Sequence, residues 1–368
     1  MSQTLLERAA APAARLMLVD CDVHHALRSP ADLHPYLSQR WRDHLKTYGS
    51  RKPTPFTGAS PFFKSAPALS RKDTWPPAGG TPGSDLAFMQ EQLLDRYGIE
   101  AGMLHLLSIT GMDQRNQDFG AALCRAINEW QYAEWTQQDR RLKAAIVVPG
   151  EDAPAAIAEI EHWAGNRDFC QVSLVTHTIE PMGRRRYWPI FEAAAANGLP
   201  IGLHSSGSNG HAISPAGWSS FYTEEHHSIA ISQQGLVSSL VCEGVFSRIP
   251  ALKVVIVEAG LAWVPSLCWR LDRHWARMRD EVPHLTRPPS EYIREQMWFT
   301  TQPMDEPENP DDLRDILSWL GWDRILFATD YPHWDFDDPD TAMKVSLTEQ
   351  QRRMVFRDNA RSVYGLDK

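Results

Sequence analysis

The chain has 368 residues, 43% of them hydrophobic and 23% charged, which is apolar content enough for a substantial core. Its formal charge of −9 argues against a nucleic-acid surface, which needs a basic patch. No apolar run reaches the ~20 residues of a membrane span, the N-terminal segment Met1–Arg15 lacks a signal-peptide core, and the five cysteines are never spaced Cys-x-x-Cys, so a cytoplasmic protein with reduced thiols is expected.

Taken in chain order, apolar β-rich runs predict strands near Leu16–His24, Glu100–Leu107, Leu142–Val148, Cys170–His177, Leu199–His204, Lys253–Glu258, Met297–Thr301 and Arg324–Asp330. Between them, helical patterns cover Asp118–Asp139, Ala153–Trp163, Arg186–Asn197, His226–Phe246, Ala262–Arg279 and Pro310–Leu320. Near-continuous apolar strands such as Ala145-Ile-Val-Val are expected where both faces of a sheet are covered. Eight strands alternating with helices predict an α/β fold, a (β/α)8 TIM barrel, read as a single domain over residues 1–368. A doubly wound sheet competes, but no Gly-x-Gly-x-x-Gly follows the first strand. Residues 26–84 are rich in Pro, Gly and Ser and form a long insertion after strand one, a lid or an interface arm. The helical pattern resumes at Asp85–Tyr97.

The first strand ends Asp20-Cys21-Asp22-Val23-His24-His25. Strand alternation would put Asp20, Asp22 and His24 on one face and Cys21, Val23 and His25 on the other. Two carboxylates and an imidazole on one strand face are costly to bury unless a cation neutralises them; the plainer reading is a capped strand end with solvated acids. In such barrels the chemistry sits at the C-terminal ends of the strands. Those ends carry Asp22 and His24, His105, His177, His204, Glu258 and Asp330. Asp22, His24, His204 and Asp330 would offer two imidazoles and two carboxylates to one centre, suiting Zn, Mn or Fe better than Mg or Ca.

Asp20-x-Asp22-x-His24, His204 and Ala328-Thr329-Asp330-Tyr331-Pro332-His333 resemble the amidohydrolase-related family that includes aminocarboxymuconate semialdehyde decarboxylase. So do Arg248-Ile-Pro-Ala-Leu-Lys-Val-Val-Ile-Val-Glu-Ala-Gly, leading to Arg270-Leu-Asp272, and the closing Asn359-Ala-Arg361 with Tyr364-Gly365. The resemblance runs from about Val19 to Leu366. It implies a metal-dependent barrel enzyme, commonly oligomeric, that hydrolyses or decarboxylates small carboxylated or aromatic compounds. Two departures stand out: Asp22 replaces the first imidazole of the usual His-x-His, and Glu258 replaces a proton-shuttling His. Both make the site richer in oxygen, which shifts preference from Zn towards Mn or Fe.

One ion is expected, held by Asp22, His24, His204 and Asp330, with two possible if Glu258 and His177 serve a second. Glu258 either ligates or carries a proton, and Asp330 ligates, acts as base, or does both. His105 bonds neighbouring backbone or contacts substrate. Arg184, in Arg184-Arg185-Arg186, is a candidate for a substrate carboxylate, as are Arg51 and Lys52 in the insertion. His226 and His227, after Glu224-Glu225, read as a solvated helix start from which one imidazole could reach the site. Asp335, Asp337 and Asp338 read as a solvated turn. The expected activity is hydrolysis or non-oxidative carboxy-lyase chemistry on a small carboxylated or aromatic molecule. The alternatives are a dinuclear Mn/Fe oxygenase on the same barrel, and a subunit with a structural metal in a hetero-oligomer. A small-molecule substrate and a homo-oligomer, a dimer, are expected, without nucleic acid or membrane.

Overall fold

The computed structural model describes residues 16–49, 69–107, 111–112, 114–176, 178–204 and 212–367. Eight parallel strands follow one another in chain order: β1 Leu18–His25, β2 Ile99–Leu106, β3 Leu142–Val147, β4 Phe169–Val175, β5 Ile201–His204, β6 Val254–Val257, β7 Met297–Thr300 and β8 Ile325–Leu326. The last strand meets the first through backbone bonds: Cys21 N–H donates to Phe327 O (2.9 Å), Asp330 N–H to Asp22 O (3.0 Å) and His24 N–H to Tyr331 O (2.7 Å). Helices occupy the connections, as the apolar periodicity predicts, so the α/β TIM barrel is the observed architecture.

The core has two layers, and β6 shows why. Val254 and Ile256 join the large cluster between strands and helices, while Val255 and Val257 join a second cluster with Val19, Cys21, Met103 and Cys170 inside the barrel. The C-terminal helix Asn359–Tyr364 closes the floor of that inner cluster with Ala360, Val363 and Tyr364. No disulfide joins the five cysteines. No helix among the described residues is long and apolar enough to cross a membrane.

On β1 the simple alternation fails. Leu18 faces the outer layer and Val19 and Cys21 the inner one, yet Val23 is outside again. The register with β2 shifts between Asp20 and Val23, a bulge that inserts one residue and reverses the phase. Asp20 therefore does not share a face with Asp22 and His24. Its fully buried carboxylate accepts the backbone N–H and the hydroxyl of Thr329 (2.9 and 2.5 Å) and the N–H of Asp22 (3.2 Å). Asp20 thus ties β1 to the chain leaving β8.

Strands β6 and β8 are shorter than their apolar runs predict. β6 stops directly before Glu258 (φ 54°) and β8 a few residues before Asp330 (φ 62°), both acidic residues in the left-handed backbone region. A non-glycine residue is strained there, and such strain gathers at functional sites.

The described parts of the 26–84 insertion frame the barrel mouth. Pro30–Tyr36, capped by Ser29 and Asp32, and helix Gln39–Tyr48 pack onto helix Gln117–Gln131, where the Trp41 and Phe119 rings lie 5.2 Å apart. Arg71 N–H donates to Pro332 O (3.0 Å) and Trp334 N–H to Leu69 O (2.8 Å), fastening the returning chain beside the β8 exit. Gly83 (φ 77°) passes so close that a Cβ there would sit 2.7 Å from His24 O. Arg51 and Lys52 lie outside the described residues.

The Thr329 hydroxyl also accepts the Tyr331 N–H (3.2 Å). Thr329→Val should therefore strand a buried carboxylate oxygen and an amide together, at a cost of about 2–4 kcal/mol. A lowered guanidinium midpoint at constant slope is the expected readout, and an unchanged midpoint would show the seam bonds to be neutral.

Candidate metal centre

The bulge on β1 sends Asp22 and His24 to the C-terminal mouth of the barrel, where the ends of β5, β6 and β8 meet them. His24 Nε2 lies 3.4 Å from Asp22 Oδ1 and 2.9 Å from Asp330 Oδ1. His204 Nε2 lies 3.5 Å from Asp22 Oδ1 and 3.3 Å from Glu258 Oε2. Ligand atoms of Asp22, His24, His204 and Glu258 all fall within 4.8 Å of one another, and so do those of His24, Asp330 and His333. All six side chains are buried.

The donor atoms of this cluster are arranged as a cation would need them. His24 Nδ1 sits 2.9 Å from the carbonyl of His105, to which it can only donate, so Nε2 carries the lone pair when the ring is neutral. Burial, with the neighbouring imidazoles, holds His24 well below the usual histidine value even though Asp22 pulls it up. A lone pair then faces carboxylate oxygens at 2.9 and 3.4 Å. Asp22 is fully buried and neither of its oxygens has a hydrogen-bond partner among the described residues. Burial pushes Asp22 up, but the His24 and His204 rings outweigh it and leave the carboxyl below its ordinary value. Asp330 goes the other way: burial, then the Glu258 and Asp22 charges, push it well above the carboxylate range. A divalent ion among these atoms satisfies the lone pairs and the crowded carboxylates at once, and the mixed nitrogen and oxygen donors suit a transition metal. The described residues thus contain a buried metal-binding cluster.

Supporting contacts fix the donors. Gln302 Nε2 donates to Asp330 Oδ2 (3.0 Å) and to Asp335 Oδ2 (3.0 Å). His333 Nδ1 lies 2.6 Å from Asp330 Oδ1, and burial holds that ring at about 4. Glu258 N–H donates to Thr300 Oγ1 (3.1 Å), holding the strained strand end. Partners of this kind set ring tautomers and tune metal sites.

A cavity of about 430 Å³ reaches the cluster at Glu258 and is bordered by Tyr222, His226, Trp263, Pro303 and Trp334. Its size and aromatic walls fit a single-ring ligand.

Of the side chains picked out in the sequence, Asp22, His24, His204, Glu258 and Asp330 come together. His105 lies beside them: its carbonyl holds His24 and its ring centroid is 4.9 Å from that of His204. His177 lies outside the described residues. Arg184 is not at the cluster; it is half exposed, with Nη1 3.4 Å from Glu243 Oε1. Asp335, Asp337 and Asp338 are not a solvated turn: Asp338 accepts the Tyr97 hydroxyl (2.8 Å). Asp335 pairs with His226 (3.1 Å), and Asp337 accepts the Met304 N–H (3.0 Å). Gln302 went unnoticed in the sequence because an amide after an apolar strand carries no distinguishing pattern. His333 was visible only within the Asp330 motif.

Comparison with known proteins finds a family match and relatives along most of the chain. The amidohydrolase family Amidohydro_2 matches residues 19–366. The gamma-resorcylate decarboxylase of Polaromonas sp. (strain JS666 / ATCC BAA-500) is 24% identical over 304 residues, spanning 77% of this chain and 89% of that enzyme. The enzyme of the same name from Rhizobium sp. (strain MTP-10005) is 24% identical over 300 residues, spanning 77% and 88%. Among solved structures, 2,6-dihydroxybenzoate decarboxylase from Rhizobium superposes with a TM-score of 0.67 at 20% identity, covering 96% of this chain and 99% of its own. The 5-carboxyvanillate decarboxylase of Novosphingobium aromaticivorans DSM 12444, complexed with manganese and 4-hydroxy-3-methoxy-5-nitrobenzoic acid, gives 0.71 at 17%, covering 99% and 100%. At these identities the structural likeness speaks for the fold.

Asp337 offers a test of the electrostatics around the mouth. Burial pushes its carboxyl to about 7 from 3.8 in spite of the Met304 N–H. With the folded value above the unfolded one, its contribution to stability is full below about pH 4 and is lost as pH rises through about 7. Asp337→Asn should match the parent at pH 4 and exceed it at pH 8 by about 1–2 kcal/mol, solvent screening at a partly exposed site allowed for. Denaturation midpoints at the two pH values check this; an equal difference at both would refute it.

Proposed function

This chain belongs to the amidohydrolase family, and from that premise we propose that it is a metal-dependent, non-oxidative carboxy-lyase acting on a small aromatic carboxylate. The observation that carries the reading is the pairing of an Asp22 carboxylate without hydrogen bonds and a neutral His24 Nε2 in a buried cluster whose Glu258 edge forms a wall of the aromatic cavity. The decarboxylase relatives support carboxy-lyase chemistry over hydrolysis.

Asp22, His24, His204 and Asp330 would hold the ion, which supplies Lewis acidity towards the carboxylate and neighbouring oxygens of a bound ring. Manganese suits the carboxylate-rich donors and is the ion bound in the carboxyvanillate decarboxylase. Tyr222, Trp263 and Trp334 hold the ring and exclude water. The ring–carboxylate C–C bond breaks, its electron pair stays on the ring carbon, carbon dioxide leaves, and Glu258 delivers the replacing proton from the cavity wall. His333 and Gln302 keep Asp330 oriented.

A second reading has one observation in its favour. The cluster offers three carboxylates and three imidazoles, with His24 shared between two groups, which is more than one ion needs. Two redox metals there would suit a dinuclear oxygenase. The named relatives lend that alternative no support.

The test is direct. Manganese-loaded protein incubated without oxygen with 2,6-dihydroxybenzoate, 5-carboxyvanillate and related ring acids should release carbon dioxide, and a chelator should stop it. Hydrolysis of amides or lactones with no carbon dioxide from any ring acid would replace the carboxy-lyase reading; two redox ions per chain with oxygen uptake would favour the dinuclear one. Asp22→Asn should lose most bound metal by elemental analysis while folding normally. Glu258→Gln should keep its metal and lose about 10²–10⁴-fold in turnover; parent-level turnover would remove Glu258 from the proton transfer.

A further inference from the structure

One wall of the cavity contains a built charge pair that the mechanism above does not use. His226 comes from near the start of helix Tyr222–Cys242 and Asp335 from the loop beyond β8, and their Nε2 and Oδ2 atoms lie 3.1 Å apart. The pair is shielded, with the His226 side chain 19% and the Asp335 side chain 12% exposed. Tyr222 and Trp334 flank the imidazole at ring distances of 5.7 and 5.8 Å, and Trp334 Nε1 donates to Tyr222 Oη (2.9 Å), so the ring is clamped. The Gln302 amide holds Asp335 in turn (3.0 Å). Among the described residues that border the cavity none is Lys or Arg; the side chains able to carry positive charge are His226 and His227, and His226 is the one paired with a carboxylate.

We infer that His226 is the side chain that recognises an anionic oxygen on the substrate ring, and that Asp335 is its positioning residue. This rests on the aromatic-carboxylate reading and deepens it: the cluster would take one end of the ring and His226 a second anionic substituent. A ring anion entering this cavity meets Glu258 and Asp305, so it needs a fixed donor to offset them. The hydrogen bond to Asp335 holds the imidazole above its usual value, with Glu258 and Glu225 adding to the effect, which favours the protonated ring. With Nε2 engaged by Asp335, Nδ1 is the atom left to donate.

Binding tests the inference separately from turnover. Manganese-loaded protein is titrated with the acidic phenol 2-nitroresorcinol, with benzoate and with neutral resorcinol, following tryptophan fluorescence or heat. The parent should bind at least one of the two anions more tightly than resorcinol. His226→Gln should weaken that anion at least 10-fold and resorcinol less than 2-fold, with metal content and melting temperature unchanged. Asp335→Asn should follow it with a smaller loss of the same selectivity, whereas a merely structural role would move anion and neutral ligand alike. Equal losses for both ligands, no loss in His226→Gln, or a parent with no preference for either anion would overturn the assignment. Which anion is affected tells a phenolate partner from a carboxylate one. If anion selectivity depends on His226 while no ring acid loses carbon dioxide, the recognition stands and the carboxy-lyase reading falls; release of carbon dioxide with parent-like selectivity in His226→Gln gives the reverse.

Discussion

Carboxyl groups crowded into a dry barrel mouth are the constraint around which this protein is built. Asp22, Glu258 and Asp330 lie close together with little or no exposure, and burial works against protonating the His24 and His333 rings packed among them. Buried charge without a partner costs several kcal/mol per group. The surrounding structure makes sense as the frame that holds this unfavourable arrangement ready for a cation. Asp20 and Thr329 lock the seam, the His105 carbonyl selects the His24 tautomer, and Gln302 and His333 grip Asp330.

The backbone takes its share of that strain. Glu258 at the end of β6 and Asp330 in the segment after β8 are both left-handed, and each is held there by a bond to a neighbouring strand, Glu258 through Thr300 and Asp330 through the Asp22 carbonyl. Strands that ran on regularly would send these side chains along the barrel wall. The abrupt turn brings them over its mouth.

Much of this was legible in the chain. Alternating apolar runs and helical periodicity located all eight strands, because burial on both faces leaves a strong pattern. The strand-end rule then placed Asp22, His24, His204, Glu258 and Asp330 at one address. Asp20 departs from simple alternation because a bulge is set by pairing with a neighbouring strand and leaves no trace in spacing. Arg184 looked suited to a substrate anion, yet its surroundings put it against Glu243, on a surface that periodicity does not describe. His226 and Asp335 are 109 positions apart by numbering, one on a helix start and one on a loop, so neither local pattern announced their meeting. An acidic run near an aromatic reads as solvated until the fold supplies its partner.

The seam between the first and last strands also governs when the site can exist. Asp20 and Thr329 are 309 residues apart, and the cluster draws Asp22 and His24 from one side of that seam and Asp330 and His333 from the other. A growing polypeptide therefore exposes only fragments of the cage until Asp330 and His333 have emerged from the ribosome.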